Sequence, residues 1–234
     1  MLYNVTDGKA ALSKRIQSGG KLKKRGVITP FEDVEIMRQV KLFFIDIRLI
    51  ARHKRVITDI IPQERVKKAS AYLREKDTLL SLGAAYLMTM FIGEWYTDKK
   101  GKPRSEHTYF SVSHSGDLVG IAISDFGETG LDIEFSAEKK ASLVDYCLSE
   151  DEKAVYRHGG EFLKFFVAKE SLSKAEGAGL GGNVKVIPAI PFDGEVEYLG
   201  KTYFRHSFER KGYLVSVTCE GEDFELVAED VKAI

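Results

Sequence analysis

The sequence predicts an α+β protein of two similar halves related by a pseudo-twofold, each a small antiparallel sheet packed on a long helix. Three observations carry that prediction. Each half offers a short helical stretch, a long one and then a meander of short strands, so the second half repeats the first in outline. Helices and strands are grouped within each half and do not alternate as in a doubly wound βαβ sheet. A length of 234 residues suits one sizeable domain or two small ones with a well-buried core.

Taken in order, Lys41–Leu49 is a β-rich apolar run that begins the compact part. Ile61-Pro62-Gln63-Glu64 reads as a helix start, with proline in the first turn and an acid behind it, and Val66, Ala69, Tyr72 and Leu73 follow at helical spacing. A more apolar helix is expected over Leu79–Trp95, then a turn-rich link at Asp98–Ser105. Strands are expected at Tyr109–His114, Val119–Ser124 and Gly130–Phe135. In the second half, Ser149-Glu150-Asp151-Glu152 has the form of a capping box. A long helix over Glu161–Glu176 should stop at Gly177, a residue free to take the left-handed cap. Gly179, Gly181 and Gly182 follow, and strands are expected near Val184–Ile187, Glu195–Leu199, Lys201–Ser207, Tyr213–Thr218 and Phe224–Glu229. The division is therefore a basic leader over 1–40, a first half over 41–126 and a second over 127–234.

Composition narrows the function classes. Thirty-five basic and 35 acidic side chains balance to zero, without the basic excess of a general nucleic-acid binder. The leader is the exception: up to Phe31 its only acid is Asp7, against seven lysines and arginines from Lys9 to Arg25. It reads as a solvated leader or as an arm for an acidic partner. No apolar run is long enough to span a bilayer, and the opening residues hold no apolar signal-peptide core, so a cytoplasmic protein is expected. Cys147 and Cys219 are far apart and lack metal or disulfide spacing.

Three segments carry chemistry. In Gly130-Leu131-Asp132-Ile133-Glu134-Phe135 apolar side chains alternate with carboxylates. On a strand, Asp132 and Glu134 share one face about 7 Å apart. Two converging carboxylates repel unless a cation lies between them, and oxygen ligands of this kind suit magnesium. Ser113-His114-Ser115-Gly116 lies at a strand end and tight turn, where a histidine, hydroxyls and backbone N–H groups suit a phosphate. Ser113 and His114 point to opposite faces of a strand and are poorly placed as a nucleophile–base pair. On the long second-half helix, Phe166, Lys169, Glu170, Ser173, Lys174 and Gly177 read as one stripe, and Phe165, Ala168, Leu172 and Ala175 as the other. Singly, each segment also has a structural reading; Glu170 and Lys174 are a favourable i,i+4 pair.

Together and in this order, Ser113-His114-Ser115, Gly130-Leu131-Asp132-Ile133-Glu134 and Lys169-Glu170-Ser171-Leu172-Ser173-Lys174, with Gly177 and Gly179 trailing, resemble the signature of Sfp-type 4'-phosphopantetheinyl transferases, in the holo-[acyl-carrier-protein] synthase superfamily. Gly101-Lys102-Pro103, Lys76-Asp77 before Ser81-Leu82-Gly83, and Gly212-Tyr213 extend the likeness from about Lys41 to Val231. The resemblance implies a transferase that moves the phosphopantetheine arm of coenzyme A to a serine of an apo acyl or peptidyl carrier protein, with magnesium or manganese, releasing 3',5'-ADP. It assigns Asp132, Glu134 and Glu170 to the metal and Glu170 to the general base. Lys169 and Lys174 fall to the diphosphate and the developing charge, and Lys102, Ser113 and His114 to coenzyme A phosphates. It also implies an active site in the cleft between the halves, which needs no second subunit, so a monomer is expected. The same residues are compatible with a diphosphate hydrolase, or with a coenzyme A or carrier-protein binding module without turnover. Three positions depart from the pattern: Phe166 stands for a tryptophan, Ser111 for an asparagine, and Leu79 or Leu80 for an arginine. The last leaves Arg65, Lys68 or Arg74 to hold the nucleotide phosphate.

Overall fold

The computed structural model describes residues 38–99, 101–135, 143–157, 161–177, 179 and 183–234. All lie in one compact unit, Met37–Ile234. The expected basic leader lies outside the described residues up to residue 37, as do Gly181 and Gly182; Arg38 already belongs to a strand.

The architecture is α+β. Strand β1 (Arg38–Asp46) leads into helices α1 (Ile47–Arg52), α2 (Lys54–Ile60), α3 (Gln63–Ser70) and the long α4 (Glu75–Phe91). A two-stranded ribbon, β2 (Tyr96–Thr97) and β3 (Pro103–Arg104), precedes β4 (Tyr109–Ser115), β5 (Leu118–Ser124) and β6 (Thr129–Phe135). After α5 (Val144–Cys147), α6 (Glu150–Arg157) and the long α7 (Phe162–Glu176) come β7 (Gly194–Tyr198), β8 (Lys201–Arg210), β9 (Tyr213–Glu220) and β10 (Phe224–Asp230). Two four-stranded sheets result, ordered β10-β1-β5-β4 and β6-β9-β8-β7. The second is antiparallel throughout. In the first, β10 crosses from the C-terminal part of the chain and runs parallel to β1, with Leu42 opposite Ala228.

Two-residue periodicity explains the layers. On β1, Val40, Leu42 and Phe44 join Leu131, Ile133, Val215 and Val217 in a core between the sheets. Its alternate residues Phe43 and Ile45 pack instead on the α4 side, with Leu82, Tyr86 and Val119. Strand β6 divides in the same way: Leu131 and Ile133 enter the inter-sheet core, while Gly130 lies against α7. A Cβ on Gly130 would overlap the Ser171 carbonyl oxygen and lie 2.5 Å from the Ala175 nitrogen. Gly130→Ala is therefore expected to cost about 3 kcal/mol, because the obstacle is helix backbone and not a movable side chain. A urea titration with the midpoint lowered at constant slope checks this; an unchanged midpoint would mean that α7 shifts freely.

The capping box forms as expected: Glu152 accepts the Ser149 N–H at 2.9 Å, and Ser149 Oγ accepts the Glu152 N–H at 3.3 Å. Gly177 closes α7 with φ 86°. The segment expected as a strand near Val184–Ile187 is instead a 3-10 turn over Val184–Val186. Asn183 caps it, and buried Lys169 takes the Val184 and Ile187 carbonyls that a neighbouring strand would have used. Arg205, wholly buried on β8, donates to the carbonyls of Pro188, Ala189 and Pro191 and ties down the rest of this segment. Burial pushes its pKa down to about 10, so it remains charged at neutral pH.

Candidate active site at the seam of the two sheets

Edge strands β4 and β6 meet side by side, and serine hydroxyls on β4 take the place of ladder carbonyls. Ser113 Oγ accepts the Ile133 N–H at 3.2 Å, and Ser115 Oγ accepts the Phe135 N–H at 3.0 Å. Ser113 also donates to Asp132 Oδ1 at 3.0 Å and accepts from Lys174 Nζ at 3.1 Å. One proton and two lone pairs are thereby used, so Ser113 can reach a phosphate only by giving up a bond. In this structure the hydroxyl joins the two strands. Ser115 extends the pattern, donating to Glu134 Oε2 at 3.1 Å.

Asp132 and Glu134 are both buried at this seam. Lys174, from the last turn of α7, reaches Asp132 Oδ1 at 2.6 Å and the Leu131 carbonyl at 3.0 Å. With Ser113 these acceptors engage all three ammonium protons. Asp132 Oδ2 is buried without a hydrogen-bond partner. Desolvation raises the Asp132 pKa, against the opposing pull of the Lys174 charge. A buried carboxylate with one oxygen satisfied and the other bare, next to a second carboxylate, is a half-built cation site.

Glu170 is the point of departure for the metal assignment. Among the described residues no group of three or more His, Cys, Asp or Glu is placed to hold a metal ion. Lys174, one turn beyond Glu170, supplies the positive charge at Asp132. The donors that are present still fit magnesium, which is commonly held by one or two carboxylates with substrate phosphate oxygens. The bare Asp132 Oδ2 is the observation behind that fit.

Lys169 is buried in this structure. It follows Phe165 by four residues, which puts both on the same face of α7, and its side chain is 0 % exposed. Its ammonium binds Glu152 Oε2 at 2.8 Å as well as the two loop carbonyls, so it lies in the core of the second half and not at the seam. Burial lowers its pKa and the Glu152 partner opposes that shift. Glu152 thus has three tasks: it caps α6, neutralises Lys169 and accepts the Ala189 N–H at 2.8 Å. The capping box was legible in sequence; the other two contacts depend on how the chain folds back.

Lys102 does reach the seam, where it spans Glu128 at 2.9 Å and the Lys174 carbonyl at 2.7 Å. It satisfies one of the free carbonyls at the end of α7. Arg104 bonds the other Glu128 oxygen and holds Asp98 at 3.1 Å, a network that nothing in the spacing of these residues announced. Lys102 and Lys174 line a cavity of about 290 Å³ together with Pro103, Ser111 and Ser173.

His114 faces the other way. It borders a second cavity, of about 270 Å³, with Arg65, Lys68, Tyr72, Asp77 and Ser81. Much of the residue is solvent-accessible, yet desolvation, and then the Lys174 charge, lower its pKa, which favours the neutral imidazole. The Arg65 guanidinium lies 5.2 Å from the Trp95 ring centroid, and its Nε is buried without a partner. Of the three basic residues expected to grip a nucleotide phosphate, Arg65 and Lys68 line this cavity.

Residues 128–221 match the family model of the 4'-phosphopantetheinyl transferase superfamily. The matched segment runs from just before β6 to just after β9 and contains Asp132, Glu134, Glu170 and Lys174. It supports a transferase and, in general terms, phosphopantetheine transfer. No curated protein matches the chain. Among the described residues no helix is long and apolar enough to cross a membrane. For the superfamily segment the geometry is thus a pair of buried strand carboxylates met by a helix lysine, with cavities on either side.

Proposed function

We propose that this protein is an Sfp-type, magnesium-dependent 4'-phosphopantetheinyl transferase, acting as a cytoplasmic monomer on coenzyme A and the serine of an apo acyl or peptidyl carrier protein. One observation carries the reading: Lys174 on α7 meets Asp132 on β6, beside Glu134, between two cavities with basic walls. Asp132 and Glu134 would hold the magnesium, which when bound offsets the charge of the coenzyme A diphosphate. Lys174 neutralises charge on the transferring and leaving oxygens. Glu170 accepts the proton of the carrier serine as its oxygen bonds to the phosphorus of the pantetheine arm. The phosphorus–oxygen bond to 3',5'-ADP breaks, and the leaving phosphate takes the electron pair. Because the nucleophile belongs to the partner, no serine of this chain needs a base.

The 3'-phosphate of coenzyme A is assigned to Arg65, Lys68 and His114. Arg65→Ala is expected to raise KM for coenzyme A about tenfold, while barely changing KM for dephospho-coenzyme A, which lacks that phosphate. Equal effects on the two substrates would remove Arg65 from the phosphate.

The decisive experiment is intact-mass spectrometry of a small apo carrier protein incubated with this chain, coenzyme A and magnesium. An added mass of roughly 340 Da, absent when EDTA removes the metal, is expected. Release of 3',5'-ADP without carrier modification would point to the hydrolase, and binding without product to the module that lacks turnover.

A further inference from the structure

Lys174, whose ammonium meets Asp132, belongs to the last turn of α7, where carbonyls lack partners within the helix and helix ends fray. A charged network holds that turn from outside the helix. Lys102 Nζ donates to the Lys174 carbonyl at 2.7 Å and to Glu128 Oε2 at 2.9 Å. Arg104 donates to the other Glu128 oxygen and to Asp98 Oδ2 at 3.1 Å. Asp98 Oδ1 in turn accepts the Lys102 backbone N–H at 2.9 Å. Two cations and two carboxylates thus share one largely buried network. Arg104 also packs on the helix cap, its Nη2 3.2 Å from where a Cβ on Gly177 would stand.

The network converges on Glu128, which immediately precedes β6. Its carbonyl accepts the Glu220 N–H of β9 at 2.9 Å, so its backbone is fixed to the sheet. Asp132 follows four residues later on the same strand and receives the Lys174 ammonium. One carboxylate therefore ties the strand of Asp132 to the helix turn of Lys174, by way of Lys102. Burial lowers the Lys102 pKa and Glu128 opposes that shift, which keeps the connecting ammonium charged.

We infer that Glu128 is a positioning residue: it holds Lys102 on the Lys174 carbonyl and so fixes the last turn of α7, and with it the Lys174 ammonium, at Asp132. The inference rests on the proposed transfer reaction and adds to it what keeps Lys174 in place. Precision matters there, because misplacing a reacting group by about 1 Å costs up to about 100-fold in rate.

The test compares Glu128→Gln with the parent chain, using coenzyme A, magnesium and a small apo carrier protein. The amide keeps the shape but replaces one acceptor oxygen by a donor group that neither cation can use. Turnover should fall about tenfold while KM for coenzyme A stays within about twofold, and deuterium uptake should rise in the peptide that ends α7 at Gly177. Lys102→Met is the second variant and should show the same rise in uptake with lowered kcat. Adding Glu128→Gln to it should lower kcat by no more than about twofold again, because Glu128 acts through Lys102. Unchanged kcat and uptake in Glu128→Gln overturn the positioning role while the transferase reading stands. A raised KM for coenzyme A at unchanged kcat, or fully additive losses in the double variant, overturn it equally. Should Glu128→Gln not fold, unchanged uptake in Lys102→Met overturns it. Failure of the unmodified chain to load the carrier overturns the transfer reading and this inference with it.

Discussion

Replacing Asp132 by asparagine is expected to lower phosphopantetheine transfer by about 10³-fold while leaving the far-ultraviolet spectrum and the unfolding midpoint close to those of the parent protein. The substitution keeps the shape of the side chain and the Ser113 contact but removes the charge that would bind a metal and that now meets Lys174. Folding should tolerate it. Lys174 is 29 % exposed, so its ammonium can be hydrated, and it retains the Leu131 carbonyl and the Ser113 hydroxyl. Loss of activity is thus expected without loss of structure. Single-turnover loading of an apo carrier, with circular dichroism and urea unfolding on the same samples, separates the two effects. Turnover within about tenfold of the parent would remove Asp132 from the chemistry.

The second large effect is on stability and concerns Glu152 and Lys169. Glu152→Ala leaves the Lys169 ammonium buried with only carbonyls around it, and also frees the Ser149 and Ala189 N–H groups. Removing one partner of a buried pair costs about 3–5 kcal/mol, enough to unfold many domains of this size. The double replacement Glu152→Gln with Lys169→Met removes both charges together and should recover much of that loss, because neither partner is left alone. Its turnover at saturating substrate should be close to normal. A folded double variant with turnover reduced 100-fold, by contrast, would return Lys169 to the reacting phosphate and contradict its place in the core.

Lys169 and Lys174 also show where the sequence stopped being informative. Both are lysines of one motif on one helix, and the spacing placed both on the stripe that carries Glu170. Helix α7 is buried over most of its circumference, with Phe165, Val167, Ala168, Lys169, Ser171 and Leu172 all in the interior. Without a clear polar side there is no pattern from which to read which lysine faces the seam. Lys169 lies four residues from Phe165 and enters the core, whereas Lys174 lies one turn beyond Glu170 and emerges beside β6. The packing of α7 on Gly130 decides this, and that contact joins residues distant in the chain.

What the sequence by itself determined was local. The apolar alternation that makes β6 a strand with Asp132 and Glu134 on one face, the capping box at Ser149–Glu152 and the glycine stop at Gly177 each depend on neighbours within one or two turns. The α+β order followed from the same short-range signals, and the strands from β4 to β6 and from β7 to β10 lie within a few residues of their expected bounds. Only the tertiary structure decided which carboxylate meets Lys174, that Ser113 joins two edge strands, and that β10 returns to pair with β1 in the other sheet. The reason is physical: hydrophobic periodicity is set by residues a few positions apart. A salt bridge across 42 residues, or a strand pairing across nearly the whole described chain, depends on how buried faces fit once the layers close.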